Sequence, residues 1–324
     1  MKAIVQERFG DPEKVVALRE VDVPSVDESE VLVRVGAASI HVGDAIITRG
    51  LPYLMRPAFG LRRPRHPVLG TDMAGVVEAV GSAVTKVKPG DEVFGWGDGA
   101  FAEYLSAPAA NVLPKPSGFT FEQAAATGVS AFTALKAMRD RGQIQAGQKV
   151  LVNGASGGVG PFAVQVAKSM AAQVTGVCSS RNVDMVRAIG ADHVIDYTKE
   201  DFTLGEERYD FILDNVGNRS LSEIRRVLTP QGRLQPNGGA HDGGRWIGAL
   251  GHVAANAIRS FFSRQVLAPF LSVNNPEDLA VLKELAEAGK ITPVIDRTFP
   301  LSETAQALAY VAGGHAQGTV VITV

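Results

Sequence analysis

The stretch Val150–Lys168, VLVNGASGGVGPFAVQVAK, decides the fold. An apolar strand leads into Gly154, Gly157 and Gly160, and Pro161 stands where a helix takes its first residue. Glycines at this spacing let the chain turn off the strand, let backbone amides approach a pyrophosphate, and let the helix pack closely. The N-terminus of that helix adds positive potential. The stretch therefore predicts a dinucleotide-binding loop between a parallel strand and a helix.

Strands and helices alternate around this loop. The predicted strands are Lys149–Val152, Val174–Val177, His193–Ile195, Phe211–Asp214 and Gly232–Gln235. The predicted helices are Pro161–Ala171, Asn182–Ile189 and Ser220–Leu228. Strands joined by helices in this way form right-handed crossovers. The expected fold class is thus α/β, with a doubly wound parallel sheet of the Rossmann type.

Residues 1–120 have a different texture, in which short β-branched strands are separated by glycine and proline turns. Alanine-rich helical sequence, including a predicted helix Ala131–Arg139, begins after residue 120, and the texture changes again near residue 275. We therefore expect a mostly β domain over 1–120 that is completed by 276–324, and a dinucleotide-binding domain over 121–275.

Composition excludes several classes of protein. The 324 residues predict about two domains at roughly 150 residues per domain. The 32 basic and 34 acidic residues give a net charge of −2, so neither a nucleic acid nor an anionic membrane is an expected partner. Cys178 is the one cysteine, which excludes an intrachain disulfide. No uninterrupted apolar run reaches ~18 residues, and the expected location is the cytoplasm.

The residues after the second predicted strand indicate which cofactor binds. An acid about 20 residues beyond the glycine loop would accept the ribose hydroxyls of NAD. Here the position holds Ser179, Ser180 and Arg181, hydroxyl donors and a guanidinium that suit a 2′-phosphate. NADPH is therefore the expected cofactor, although Ser179–Asn182 would also serve simply as a helix cap.

A second reading of the loop belongs to another enzyme class. Residues Gly154–Gly158 also satisfy G-x-S-x-G, the nucleophile elbow of serine hydrolases. That reading makes Ser156 a nucleophile, with Asp214 and His241 following in the order of a catalytic triad.

Several spaced motifs together carry a family resemblance. They are LGTDMAGVVEAVGSAV at 69–84, KPGDEVFG at 88–95, NGASGGVG at 153–160 and GADHVIDY at 190–197. The chain resembles the medium-chain dehydrogenase/reductase superfamily and, within it, the zinc-free quinone oxidoreductases. The resemblance implies a GroES-like catalytic domain made of 1–120 and 276–324, a Rossmann NADP-binding domain over 121–275, and a homodimer.

The chain departs from the zinc alcohol dehydrogenases of this superfamily at their metal ligands. Their catalytic cysteine is replaced by the run Ser39 to His41, their Gly-His-Glu by Gly70 to Asp72, and no cysteine stands near Thr127. Zinc generally needs three protein ligands and an open position. We therefore expect no metal.

The resemblance also implies site residues. In the pattern A-S-x-N-P-x-D, which falls on 38–44, His41 replaces the usual asparagine. This histidine would bind the ribose, donate a proton or simply pack, and Tyr53 is a second candidate proton donor beside solvent. The implied cofactor-binding residues are Thr133, Ser156, Gly157, Gly158, Val159, Ser179, Arg181, Tyr197, Val216, Asn237, Gly238, Phe270 and Leu271.

These expectations converge on one activity. Without a Lewis acid, a quinone or an α,β-unsaturated carbonyl is easier to reduce than a simple ketone. The sequence thus predicts a zinc-independent, NADPH-dependent oxidoreductase that transfers a hydride to such a small molecule. A serine hydrolase and a non-catalytic NADPH-binding protein or redox sensor are the alternatives.

Overall fold

The computed structural model describes residues 1–238, 257, 265–268, 270 and 272–324. They form two compact units. The first comprises Met1–Phe132, Asn274–Gly289 and Pro293–Val324, and the second comprises Thr133–Val273 and Lys290–Thr292.

The secondary-structure elements are numbered along the chain. The strands are β1 (Lys2–Gln6), β2 (Val16–Glu20), β3 (Glu30–Ile40), β4 (Asp72–Val80), β5 (Glu92–Trp96), β6 (Tyr104–Pro108), β7 (Val112–Pro114), β8 (Lys149–Asn153), β9 (Gln173–Cys178), β10 (His193–Asp196), β11 (Tyr209–Asp214), β12 (Leu228–Pro236), β13 (Ile295–Pro300) and β14 (Thr319–Thr323). The α-helices are α1 (Pro12–Val15), α2 (Val42–Arg49), α3 (Arg56–Phe59), α4 (Phe121–Ala126), α5 (Val129–Leu135), α6 (Gly160–Ser169), α7 (Val183–Ala188), α8 (Leu221–Arg226), α9 (Pro276–Glu287) and α10 (Thr304–Ala312).

The first unit is built on a mostly antiparallel sheet of order β13-β14-β3-β4-β5-β7, with β6 also paired to β3. The C-terminal strand β14 runs antiparallel to β3, so the tail joins the sheet formed by the beginning of the chain. Apolar side chains of β3, β4 and β5, among them Val33, Met73 and Val93, are fully buried in its core. Half-buried antiparallel strands of this kind account for the β-branched texture of residues 1–120.

The first unit continues beyond residue 120 because α4 packs on its sheet. Thr120 and Gln123 form a reciprocal capping box that starts this helix. The Phe121 ring then lies over Gly36 of β3, where a Cβ atom would already be 3.0 Å from the ring. The Phe132 ring meets Trp96 of β5 edge to face, with 5.4 Å between the ring centroids.

The second unit has a parallel sheet of order β10-β9-β8-β11-β12. Its central strand, β8, is fully buried over Val150–Val152, as expected for a sheet covered on both faces. Because β9 lies on one side of β8 and β11 on the other, the loop after β8 sits where the strand order reverses. In doubly wound sheets this switch point is the place where ligands bind.

The elements that were predicted differ from the observed ones mainly at their ends, whereas β2, β13 and α10 were not predicted. The helix expected over Ala131–Arg139 is shorter, since α5 ends at Leu135 and a π-helical segment, Lys136–Gly142, follows it. The helix α2 was not predicted, because its β-branched sequence VGDAIITR carries no strong helical signal. Within the described ranges, no helix is both long and apolar enough to cross a bilayer.

Candidate functional site

The beginning of the loop that follows β8 is fixed by its backbone conformation and by a hydrogen bond to β9. Gly154 has φ +78°, a left-handed conformation that favours glycine, and turns the chain off the strand. The amide of Ala155 then donates to the Val177 carbonyl of β9 at 2.9 Å. The loop is therefore preformed beside the carboxyl ends of two neighbouring strands.

Two further glycines of this loop have opposite surroundings. A Cβ atom on Gly160 would overlap the carbonyl oxygen of Gly154, so the beginning of α6 lies directly against the loop itself. Among the described residues, a Cβ atom on Gly157 would meet only that same oxygen, at 3.8 Å. Gly160 thus serves folding, whereas Gly157 leaves room that the fold does not use. Such a space, beside loop amides and a helix N-terminus, fits a pyrophosphate.

Asn182 connects the loop to the residues after β9. Its Nδ2 donates to Ser156 Oγ at 2.9 Å and to Ser179 Oγ at 3.2 Å. Neither Ser179 nor Asn182 caps a helix with its side chain. The alternative in which these residues merely cap α7 is therefore not what the structure shows.

Ser180 is engaged elsewhere. Its Oγ donates to Asp196 Oδ2 at 2.6 Å, and the amide and hydroxyl of Thr198 donate to Oδ1 of the same carboxylate. Lys199 Nζ lies 3.1 Å from Asp196. The Ser180 hydrogen bond, with those from Thr198 and Lys199, holds the pKa of Asp196 well below its usual value. Asp196 is thus ionised and compensated by its own neighbours.

Two more predicted residues lie at the same corner of the second unit. The Tyr197 amide donates to the Cys178 carbonyl at the end of β9, at 3.0 Å, while its side chain is 54% exposed. Arg181 is also exposed, in the turn that follows β9. The structure therefore brings Ser179, Arg181 and Tyr197 together, next to the strand end where the adenosine part of a dinucleotide binds in this fold.

Asp214 holds the ends of three strands. Its carboxylate accepts hydrogen bonds from Asn153 Nδ2 at 2.8 Å and from the amides of Val216 and Gly217 at 3.1 and 2.9 Å. Its carbonyl accepts the amides of Asn237 and Gly238, both at 2.9 Å. The predicted residues Val216, Asn237 and Gly238 are thus neighbours at the end of β11 and β12.

The remaining predicted residues of the second unit are less clustered. Thr133 is buried in α5. The Phe270 ring lies under the Arg141 guanidinium, 5.9 Å from its centroid. Leu271 lies outside the described residues, and so does His241.

The contacts of Ser156 do not form a hydrolase triad in the part of the chain that is described. Its Oγ accepts a hydrogen bond from Asn182, whose amide has no basic nitrogen. The carboxylate proposed to complete the triad, that of Asp214, is used by Asn153 and by backbone amides instead.

In the first unit, His41 begins α2 and lies beside a buried carboxylate. Asp44 Oδ2 accepts the His41 amide at 2.9 Å and lies 3.5 Å from His41 Nε2, which is also 3.3 Å from Thr71 Oγ1. Burial raises the pKa of Asp44, and the nearby imidazole partly opposes this rise. The ring of His41 is therefore held between a carboxylate and a hydroxyl.

A second buried carboxylate, that of Asp72, lies near the same ring. Its Oδ2 accepts the Val129 amide at 2.8 Å and Ser39 Oγ at 3.3 Å, whereas Oδ1 has no partner within the described structure. A Cβ atom on Gly128 would overlap the carboxyl group, so glycine is required there. Burial raises the pKa of Asp72 to about 6, while His41 and the Val129 amide lower it.

These side chains do not fit a catalytic zinc ion. Among the residues that the structure describes, no three His, Cys, Asp or Glu side chains are grouped to hold a metal. Ser39, which replaces the family's cysteine, has a hydroxyl that donates to Asp72. A neutral hydroxyl is a poor substitute for a thiolate as a zinc ligand.

Tyr53 is stacked on an arginine. The Arg56 guanidinium lies 4.5 Å from the Tyr53 ring centroid and 4.9 Å from that of Phe9, and Arg56 Nε donates to the Gly50 carbonyl at 3.0 Å. The phenol therefore belongs to a stacked cluster at the end of α2.

Sequence reasoning missed three residues that organise these sites. Asn153 was not considered, Asn182 was considered only as a helix cap, and Asp214 was considered only as a triad acid. The available signal was their position, since polar side chains at or just beyond the carboxyl ends of buried parallel strands face the ligand-binding edge of such a sheet.

The buried carboxyl group of Asp72 predicts a specific pH dependence of stability. Its pKa in the folded protein, about 6, exceeds the ordinary value of 3.8. The folded state therefore holds a proton that the unfolded state loses, so this group's contribution to stability falls as pH rises between these two values. At neutral pH the cost is about 3 kcal/mol.

We expect Asp72→Asn to remove the part of the decrease in the free energy of unfolding with rising pH that Asp72 causes. Urea unfolding at several pH values from about 4 to about 8 measures it. Asp22→Asn, at an exposed position of the same unit, is the control and should keep the slope of the unmodified protein. An unchanged slope in Asp72→Asn would contradict the assignment.

Two family models match the chain. Residues 27–117 match the alcohol dehydrogenase GroES-like domain, and residues 189–322 match the zinc-binding dehydrogenase family. The mitochondrial NAD(P)H oxidoreductase RTN4IP1 of Bos taurus is 34% identical over 363 residues, covering 100% of this chain and 89% of the relative.

Two further proteins similar to this chain are also oxidoreductases. The chloroplastic NADPH-dependent alkenal/one oxidoreductase of Arabidopsis thaliana is 30% identical over 338 residues, which cover 99% of this chain and 79% of that protein. The solved quinone oxidoreductase of Coxiella burnetii is 29% identical, with a TM-score of 0.83 over 100% of this chain and 99% of its own. The chain therefore belongs to the medium-chain dehydrogenase/reductase superfamily, in its quinone-oxidoreductase-like branch.

Proposed function

We propose that this protein is an NADPH-dependent oxidoreductase that reduces a quinone or an α,β-unsaturated carbonyl compound without zinc. The open space at Gly157, in a loop that is otherwise fixed by its own backbone, is the observation that carries the proposal. In this proposal the second unit is the cofactor domain and the first unit, with the C-terminal tail, is the catalytic domain.

The glycine loop would hold the pyrophosphate. The loop amides that follow Ala155 and the N-terminus of α6 would supply donors and positive potential, so most of the binding would not depend on side chains. Val216, Asn237 and Gly238, held by Asp214, would line the nicotinamide riboside. When bound, the cofactor supplies the hydride, while the protein supplies binding, orientation and electrostatics.

The proposed preference for NADPH rests on Ser179, Arg181 and Tyr197, which lie beyond the end of β9. Arg181 and the Ser179 hydroxyl replace the acid that would bind an unmodified ribose. The carboxylate of Asp196, which accepts the Ser180 hydroxyl, already accepts three hydrogen bonds and lies beside Lys199, which compensates its charge. The exposed ring of Tyr197 offers a face for the adenosine.

The substrate class follows from the polar cluster of the first unit. Because its donor set does not suit zinc, the electrophile must already be polarised, as in a quinone or an enone. Imidazole is the side chain that exchanges protons near neutral pH, and His41 is held by Asp44 and Thr71. His41 is thus the proposed proton donor, and the stacked phenol of Tyr53 is the second candidate.

The first prediction concerns cofactor preference. Unmodified protein should bind NADPH more tightly than NADH in a fluorescence titration. Arg181→Ala should lose about ten- to a hundredfold in NADPH affinity, the value of one charge-assisted contact, and little in NADH affinity. Arg226→Ala, at an exposed arginine in α8, is the matched control. Equal affinity of the unmodified protein for the two cofactors would overturn the preference.

The second prediction separates a reductase from a hydrolase. Ser156→Ala should weaken NADPH binding by about 1 kcal/mol, the scale of one neutral hydrogen bond. Gly157→Val should abolish binding without unfolding the protein, because its side chain would fill space that the fold leaves open.

A serine-directed phosphonate should leave Ser156 unlabelled in the same preparations. Conversely, a phosphonate adduct on Ser156 together with esterase activity would establish the hydrolase. Binding of NADPH without turnover of any quinone or enone would favour the non-catalytic alternative.

The third prediction concerns metal. NADPH-linked reduction of a quinone panel should persist in the presence of a chelator, and elemental analysis should find less than stoichiometric zinc. One zinc ion per chain, lost together with activity on chelation and restored by zinc, would refute the metal-free mechanism.

A further inference from the structure

The hydrogen bonds of Asn182 have a direction that matters for an anionic ligand. The side chain is only 4% exposed, and its Nδ2 lies within hydrogen-bond distance of two hydroxyl oxygens, those of Ser156 and Ser179. The other amide atom, Oδ1, is buried without a partner. In the opposite orientation of the amide group, both N–H donors would be unsatisfied instead of one acceptor. The observed orientation is therefore the less costly one.

This direction determines what the two serines can offer. An amide N–H occupies a lone pair of each hydroxyl oxygen and leaves the hydroxyl proton unused. Within the described residues, neither Ser156 nor Ser179 donates to another protein group. Both hydroxyls therefore remain donors, and a phosphate oxygen is the acceptor that binds such donors most strongly.

The neighbouring serine provides a contrast. Ser180 already donates its proton to Asp196, at 2.6 Å. Of the two serines that follow β9, only Ser179 thus retains a proton for a ligand. A single residue, Asn182, reaches both the pyrophosphate loop, through Ser156, and the turn after β9, through Ser179.

We infer that Asn182 is a positioning residue for the cofactor: it sets the hydroxyls of Ser156 and Ser179 as donors, the first toward the pyrophosphate and the second toward the 2′-phosphate. This inference rests on the proposed function. Asn182 touches neither phosphate itself, and its contribution to the preference for NADPH is exerted through Ser179.

The test is a mutant cycle read by titration with NADPH and with NADH. Asn182→Ala should weaken NADPH binding by about tenfold and NADH binding by about threefold, because only the NADPH complex uses Ser179. In a Ser156→Ala/Ser179→Ala background, Asn182→Ala should have no further effect on either cofactor. A residue that merely supports the loop would weaken both cofactors equally, in both backgrounds, and that result would overturn the inference.

Two further variants sharpen the cycle. Asn182→Asp keeps the shape but accepts protons from both serines, so it should weaken NADPH binding more than Asn182→Ala does. Ser179→Ala should reduce the ratio of NADPH to NADH affinity, whereas Ser180→Ala, which removes one hydrogen bond to Asp196 and leaves those from Thr198, should reduce that ratio less. A larger effect of Ser180→Ala than of Ser179→Ala would contradict the assignment of the donors.

Separate controls distinguish the possible failures. Urea unfolding of every variant identifies loss of fold as distinct from loss of binding. If unmodified protein binds NADPH and the cycle shows no coupling, the inference fails and the proposed function stands. If unmodified protein binds neither cofactor, both fail together.

Discussion

Where three parallel strands of the second unit end side by side, their terminal amides need acceptors, and Asp214 supplies them. Its carboxylate accepts hydrogen bonds from the Asn153 side chain and from two backbone amides of the turn that follows β11. Its backbone carbonyl accepts hydrogen bonds from two amides beyond β12. Unpaired donors at this depth would each cost about 1 to 3 kcal/mol. The edge of the sheet is therefore rigid before any ligand binds. The glycine loop, which leaves β8 next to this carboxylate, gains a fixed base.

The loop itself could be predicted from sequence because its information is local. The spacing of Gly154, Gly157 and Gly160 predicted a turn, an approach of the backbone to a pyrophosphate and a close contact. The structure shows the turn at Gly154 and the close contact at Gly160. The close contact differs in detail, since Gly160 lies against the loop backbone and not against a neighbouring strand. Asn182 and Asp214 could not be assigned in this way, because each contacts a residue far away in the chain: Ser156 contacts Asn182, and Asn153 contacts Asp214.

In the first unit, the sequence indicated which ligands are missing but not how the remaining polar side chains are arranged. The resemblance identified the runs 39–41 and 70–72 as places where the zinc alcohol dehydrogenases carry metal ligands, which says only that the cluster is not expected to hold zinc. What it does depends on burial: two carboxylates, Asp44 and Asp72, are withdrawn from water beside one imidazole. No property of a single residue predicts that arrangement. It arises from the pairing of β3 with β4 and from the approach of Val129 through Gly128.

The amide of Asn182 also bears on how cofactor preference changes during evolution. An N–H donor beside position 179 would stabilise a carboxylate as readily as it holds a hydroxyl, so Ser179→Asp would find its partner already in place. In the proposed cofactor site, a carboxylate at position 179 would thus be held by the donor that now holds the Ser179 hydroxyl. A buried donor of this kind would let the proposed site hold either a hydroxyl or a carboxylate at position 179 without a change in the residues around it.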